Sequence, residues 1–566
     1  MSKTPWRFVF LGLLCTAASL AQEGVTIRVN AAQTIGAFKP ISQYFGYDEP
    51  NYTYTANGKK LIGELGNLAG NPKAKTAPPY IRAHFMLATG DGTPSLKWGS
   101  TNAYTEDATG KPIYDWTIID RIIDTYMKAG AKPFLEIGFM PQALSTHPEP
   151  YPAIWKPGAA NTQYSVGWTY PPKDFAKWGA LVHEWAKHEV AKYGRAEVAT
   201  WYWEVWNEPD ISYWHGTPEE YDQLYDFAVD GVRRALPEAK VGGPATTGPA
   251  GAKAAAYLKQ FLEHCDSGKN AATGATGAPL DFITYHAKGS TSVFEGHVRM
   301  GVGKNTADAA HGMKIVAAFP KFKNLPIVIS ESDPEGCAAC TARVYPQNAY
   351  RNGPQYAAYQ AVMMKNLFEL ADREGTNIAG MLTWAFEFEG QPYFEGFRTL
   401  ASNGLDKPIL NLFRMTARMS GNRVMVESSG AIPVDAIQAA GVRANPDVDA
   451  IAARSDREIS VLMWNYHDDD VPGQEATIRL AISGLPANVK KATLRHYRID
   501  DGHSNAWSAW KAMGSPQEPT AEQYKKLEAA GQLQEVTPAS SITVGPEVKL
   551  DVKLPREALS LVQVSW

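Results

Sequence analysis

The chain has no excess of charge of either sign: 55 Lys and Arg stand against 59 Asp and Glu, a formal net charge of −4 over 566 residues. It also has no long basic run. That absence argues against a nucleic-acid partner, because such proteins gather Lys and Arg on one face. Cysteine is scarce, with four residues, Cys15, Cys265, Cys337 and Cys340. Cys337-Ala-Ala-Cys340 has close spacing, but no second C-x-x-C or H-x-x-H accompanies it, so no metal or other cofactor is expected. The pair is expected to form a local disulfide in an oxidising compartment, the alternative being two unbridged thiols. Cys265, at the end of a helical stretch, reads as an inert buried thiol. The N-terminal apolar run, Phe8 to Leu14, is too short to span a bilayer. Lys3 and Arg7 precede it, and the small-residue stretch ends at Ser19-Leu20-Ala21. This pattern predicts a signal peptide over residues 1–21, export to the periplasm or beyond, and no membrane attachment after cleavage. No internal repeat or low-complexity segment stands out.

What the chain does have is aromatic surface and strand–helix alternation. Its 16 Trp and 26 Tyr are rings of the kind that suit the apolar faces of sugars, although most such side chains serve packing. Eight short apolar runs read as strands: 40–45, 80–85, 133–139, 201–205, 240–243, 282–286, 326–330 and 379–384. Helical patterns separate them. Ile118, Ile119, Ile122, Ile123, Tyr126 and Met127 share one face, with Asp115 as the expected cap. Further helices are expected over 175–193, 219–236 (with Pro218 in its first turn) and 354–371. The alternation predicts an α/β fold, and a doubly wound open sheet would show it too. The unusual residues fall just after strands, where a (β/α)8 TIM barrel builds its active site, so a barrel over residues 40–410 is expected. From about Asn411 the runs become short, alternating and turn-separated, which predicts a C-terminal β-sandwich accessory domain over 411–566. A helical or irregular excursion is expected at 504–533. Residues 22–39 read as an N-terminal segment that adds a strand to the sandwich.

Two carboxylates carry the chemistry. Trp206-Asn207-Glu208-Pro209 follows the strand 201–205, and Glu331 ends the run Leu325-Pro326-Ile327-Val328-Ile329-Ser330. Either residue alone reads equally well as a helix cap or a salt-bridge partner. Together they supply what glycosidic cleavage needs, an acid for the leaving oxygen and a carboxylate for the anomeric carbon. Asp333 and Glu335, further into the loop, compete with Glu331 for the second role.

These stretches resemble glycoside hydrolase family 39, the family of β-xylosidases and α-L-iduronidases. The resemblance rests on Trp206–Pro209, Gly138-Phe139-Met140-Pro141 with Leu144-Ser145, Tyr285-His286-Ala287-Lys288-Gly289, Glu331–Cys340 and Trp384–Phe397. Outside the barrel it includes Tyr497-Arg498-Ile499-Asp500 and His503-Ser504-Asn505-Ala506. It implies Glu208 as acid/base, Glu331 as nucleophile, Asn207 on the sugar 2-hydroxyl and Trp384 as a stacking platform. The loop SDPEGCAAC after Glu331 departs from many xylosidases of the family, which loosens the inference of substrate.

Around the pair stand further candidates. Arg82 and His84 are expected to point to opposite sides of their strand, with His84 the one in the pocket. His286 is expected to hold the nucleophile or a hydroxyl, against a satisfied core histidine. Lys288 is expected to bind a hydroxyl or a substrate carboxylate, against a loop lysine in solvent. Glu387 and Glu389 are expected on one side of an extended segment, reading distal hydroxyls. Trp98, Trp116 and Phe139 either line the aglycone side or pack. The expected activity is an exo-acting retaining β-xylosidase acting on an oligosaccharide. The alternatives are β-glucosidase, arabinosidase or α-L-iduronidase-like activity, or a barrel that binds carbohydrate without catalysis.

Overall fold

The computed structural model describes residues 24–566 apart from 71–76, 153–154, 157 and 159–164. The expected signal peptide lies outside the described residues. Eight parallel strands close into a barrel: β1 (Tyr44–Tyr47), β2 (Tyr80–Ala83), β3 (Lys132–Ile137), β4 (Tyr202–Val205), β5 (Lys240–Thr246), β6 (Phe282–Lys288), β7 (Pro326–Asp333) and β8 (Asn377–Trp384). Each pairs with the next, and Leu382–Trp384 of β8 pairs with Tyr44–Gly46 of β1 to complete the ring. All eight expected strands are present. The first begins four residues late, because Pro40 to Gln43 form a turn in which Gln43 N donates to Pro40 O. Strands β6 and β7 run further than expected, so Lys288 and Glu331 lie on strands rather than in the loops after them.

The helices form the outer layer through their apolar faces. In Thr117–Ala129, Ile119, Ile122, Ile123 and Tyr126 are buried, as their spacing requires. The N-cap position falls on Trp116, one residue beyond the expected Asp115, yet the Asp115 carboxylate still accepts from Thr117 N at 2.9 Å. Pro218 opens a later helix, Pro218–Ala235, behind a Thr217–Glu220 capping box.

The accessory region is one hydrogen-bonded sheet of nine strands, not two separate sheets. Its period-two alternation serves two cores. Val448, Ala450, Ala452, Val461 and Met463 share a core with Ala492 near one end of the sheet and Val552 at the other, so the sheet curls round its own interior. The intervening Ile451, Ala453, Leu462 and Trp464 join the core of the barrel. The N-terminal strand Val25–Ala37 belongs to this sheet, antiparallel to Asn422–Ser428 and parallel to Ala476–Ser483. The excursion between sheet strands holds two helices, Ala506–Ala512 and Ala521–Gly531.

Two further ties fix the mouth of the barrel. Cys337 and Cys340 form the expected disulfide just after β7, and Cys265 is a buried free thiol. The hairpin His297–Arg299 with Ser292–Phe294 follows β6, and its Arg299 grips Asp469 of the accessory region at 2.6 and 2.8 Å. Gly46 marks a tight point of the barrel interior, because a Cβ there would lie 2.4 Å from the Trp384 ring. Gly46→Ala is therefore expected to destabilise the protein by about 1–3 kcal/mol, the usual range for an overpacked core. Chemical unfolding of the variant beside wild type checks this, and equal stability would refute it.

Candidate active site

The site begins with charges embedded in apolar strands. Arg82 of β2, Glu136 of β3 and Glu204 of β4 are fully buried inside the barrel, and Glu136 and Glu204 are direct register partners. Arg82 answers both: Nε donates to Glu204 Oε2 at 2.5 Å and Nη2 lies 3.0 Å from Glu136 Oε2. The same guanidinium donates to Asn207 Oδ1 at 2.9 Å and to Glu331 Oε1 at 3.4 Å. Burial of Arg82 opposes its charge, but Glu204, Glu136 and Glu331 outweigh that and hold it protonated. Burial pushes the Glu136 carboxyl well above the usual range, against the pull of Arg82.

Glu331 projects from β7 into a ring of donors. Lys288 Nζ lies 2.5 Å from Oε2, while His84 Nε2 and His286 Nε2 approach Oε1 to 3.6 and 3.8 Å. Burial alone would raise its pKa, yet His286, Lys288, His84 and Arg82 together hold it well below the carboxylate range. Glu331 is thus an anion at neutral pH.

Glu208 stands opposite, past the end of β4. Trp206 and Glu208 adopt left-handed φ angles of 70° and 45°, which cost about 1–3 kcal/mol each in non-glycine residues. The surroundings impose them: Trp206 Nε1 donates to Tyr213 O at 3.0 Å, and Glu208 N donates to Ala245 O at 2.9 Å. His286 joins the two acids, its Nδ1 2.8 Å from Glu208 Oε1. Glu208, His286 and Glu331 bring one polar atom each within 4.8 Å of one another. Such a trio has the donors for a cation, but Lys288 and Arg82 already place two positive groups on Glu331, which disfavours a third.

Asn207 is buried with its carbonyl on Arg82, which orients the amide nitrogen as a donor. A cleft of about 930 Å³ opens beside Glu208 and Lys288, lined also by Ile211, Thr247, Cys337 and Tyr345 among others.

Several expectations need correction. Arg82 and His84 converge rather than diverge, since both reach Glu136 Oε2 and Glu331 Oε1. Residues two apart on a strand share a face, so opposite sides was the inverse of what period two dictates. His84 is pinned between Glu136 and Asp48. Burial and the neighbouring Arg82 push its pKa well down, so it is neutral. Trp384 is 2 % exposed, wedged over Gly46 beside His84, with no face open for a sugar in this arrangement. Glu387 and Glu389 do not enter the site: their carboxylates accept from Gly404 N and Asn57 N. The chain turns after Trp384 instead of staying extended, so period two no longer governs it. Burial pushes Glu387 up to about 7. Phe139 and Trp98 pack with Phe85 and Trp168, and Trp116 stacks on Tyr114 and His188 in the helical layer.

The rivals of Glu331 are also accounted for. Asp333 accepts from Tyr356 and from Trp384 N. Glu335 is held between Arg351 and Arg398, at 2.7 and 2.6 Å, and Tyr350 donates to it. Sequence reasoning missed Asp48, Glu136 and Glu204. A signal for the last two existed, a lone acid inside each apolar run Phe134-Leu-Glu136-Ile137 and Tyr202-Trp-Glu204-Val205.

Paired carboxylates at the C-terminal mouth of a (β/α)8 barrel, one held ionised by cations, are the equipment of a glycoside hydrolase. The chain belongs to the glycosyl hydrolases family 39, whose model matches residues 80–546. It is 28 % identical over 451 residues to a β-xylosidase of Caldicellulosiruptor saccharolyticus, covering 78 % of this chain and 82 % of that one. It is 25 % identical over 586 aligned positions to an α-L-iduronidase of Mus musculus, covering 98 % and 83 % respectively. Among solved structures, a monomeric β-xylosidase from Caulobacter crescentus CB15 shares the fold at a TM-score of 0.73 and 22 % identity, over 95 % of this chain and 99 % of that one.

Since Lys288 is among the groups that keep Glu331 ionised, Lys288→Met is expected to move the acid limb of kcat/KM to higher pH. An opposite charge at this range shifts a carboxyl by about 1–3 units, so a displacement of about one unit or more is expected. A pH–rate profile on an aryl glycoside measures it, and an unmoved acid limb would disprove the assignment.

Proposed function

We propose that the protein is an exo-acting retaining glycosidase, a β-xylosidase that releases terminal xylose from xylo-oligosaccharides by double displacement. One observation carries the reading: carboxylate oxygens of Glu208 and Glu331 lie within 4.8 Å of each other. Retaining enzymes place their two acids about 5–5.5 Å apart, while inversion leaves about 6.5–9.5 Å for a water. In the first step Glu331 bonds to the anomeric carbon as the glycosidic C–O bond breaks, and Glu208 gives its proton to the departing oxygen. In the second, water attacks that carbon, its proton passes to Glu208, and the bond to Glu331 breaks. The Asn207 amide is placed to hold the sugar 2-hydroxyl, a contact that strengthens as positive charge develops on the ring.

The β-xylosidase relatives support xylose as the sugar. A second reading, an α-L-iduronidase-like activity, is favoured by Lys288 at the cleft, where it can meet a substrate carboxylate, and by the likeness to iduronidases. Xylose comes first because Lys288 is already engaged by Glu331 at 2.5 Å. Export belongs to the same reading, since the Cys337–Cys340 disulfide suits an oxidising compartment.

The test compares p-nitrophenyl β-xyloside and an aryl α-L-iduronide on wild type, Glu208→Ala and Glu331→Ala, each with and without azide. The expected result is xyloside cleavage by wild type and a fall of about a hundredfold or more in both variants. Azide should rescue Glu331→Ala to the α-xylosyl azide and Glu208→Ala to the β-xylosyl azide. Cleavage of the iduronide alone would transfer the mechanism to the second substrate. Wild-type rates in both variants would overturn the catalytic assignment.

A further inference from the structure

We infer that Ile211 sets leaving-group specificity: its side chain forms the apolar wall against which the sugar beyond the cleaved bond docks. The inference rests on the proposed roles of Glu208 and Glu331. An acid must stand beside the oxygen it protonates, and that oxygen leaves with the departing sugar. The departing sugar therefore lies on the Glu208 side of the cleft, whereas the retained sugar bonds to Glu331. Ile211, Ser212, Thr247 and Gly248 line the cleft on the Glu208 side, and Cys337 and Tyr345 line it on the side of β7.

A singly exposed apolar side chain is ordinary on a protein surface. Position and rigidity set Ile211 apart. It is 36 % exposed, and of the large apolar side chains left exposed among the described residues it is the one that lines this cleft. It sits in a stitched turn rather than a loose loop: Ile211 N donates to Glu208 O, and Trp214 N to Ile211 O, both at 3.1 Å. Asp210, its neighbour, accepts from Thr247 N at 2.9 Å and so ties the turn to the end of β5. An apolar surface fixed before the ligand arrives binds without an ordering cost. The C–H face of a pyranose is the complementary surface, with Thr247 and Ser212 beside it for the hydroxyls at its edge.

Ile211→Ser and Ile211→Leu test this on xylotriose and on dinitrophenyl β-xyloside. With the activated aryl group, breakdown of the xylosyl-enzyme limits kcat, and by then the leaving group has gone. The Ser variant is expected to lose about three- to tenfold in kcat/KM on xylotriose, in line with one or two methylenes of buried apolar contact. Its kcat on the dinitrophenyl substrate should stay at the wild-type value, and the Leu variant should recover the xylotriose rate. An unchanged kcat/KM on xylotriose in the Ser variant overturns the inference. So does a dinitrophenyl kcat that falls in step, because Ile211 would then act through Glu208. A wild type inactive on both substrates sinks the xylosidase reading itself, and the inference with it. An active wild type with an indifferent Ser variant sinks the inference alone.

Discussion

The buried guanidinium of Arg82 is the point on which the barrel interior and its mouth both depend. It reaches Glu136 and Glu204 on neighbouring strands, then Asn207 and Glu331 at the rim. Two acids side by side in register inside a dry barrel repel each other, and breaking a buried pair of this kind typically costs about 3–5 kcal/mol. Arginine suits the position because its planar fork presents several donors in fixed directions and stays charged under desolvation. The same group that makes the acids tolerable fixes the Asn207 amide and helps keep Glu331 ionised, so fold stability and site geometry share one residue.

A second cationic framework holds the loop after β7. Arg351 donates to the carbonyls of Cys337, Ala338, Cys340 and Gly396, and Arg398 to those of Trp384 and Glu335. Glu335 closes this framework by lying between the two guanidinium groups, which hold it ionised against the effect of burial. With the disulfide across Cys337 and Cys340, the loop is tied from both sides. The accessory sheet adds a third hold at a distance. Arg299 and Asp469 join it to the hairpin that leaves β6 just past Lys288, and that hairpin contacts the segment Pro346–Asn352 at the cleft rim. The sheet thus braces the mouth as well as covering apolar barrel surface.

The architecture was legible because it follows local rules. Strands β1 to β8 announced themselves as apolar runs bounded by turns, and Glu208 and Glu331 as acids at their ends. What stayed hidden depended on closure of the barrel. That Glu136 and Glu204 become register partners, with Arg82 reaching both, follows from the order of strands and not from the spacing in any one of them. Glu387 and Glu389 misled for a related reason: a period-two argument holds only while the chain stays extended, and it turns after Trp384. The alternation in the accessory region marked its layered all-β character, while its strands being joined as one curled sheet was not visible, since such a sheet leaves the same alternation in sequence as a sandwich.

The proposed division of labour between the two acids rests on their neighbours. Four groups of positive or donor character face Glu331: Arg82, His84, His286 and Lys288. The partner described for Glu208 is His286, whose ring nitrogen lies 2.8 Å away and can take either role in a hydrogen bond. A carboxylate between Lys288 and Arg82 suits an attacking anion, whereas an acid without a Lys or Arg partner suits a group that holds a proton and releases it. Exchanging the roles would set a protonated acid against Lys288 and Arg82, where its proton is least stable. The asymmetry originates in β2 and β6, which deliver Arg82 and Lys288 to the Glu331 side, so the difference in charge around the two acids is built into the order of the barrel strands.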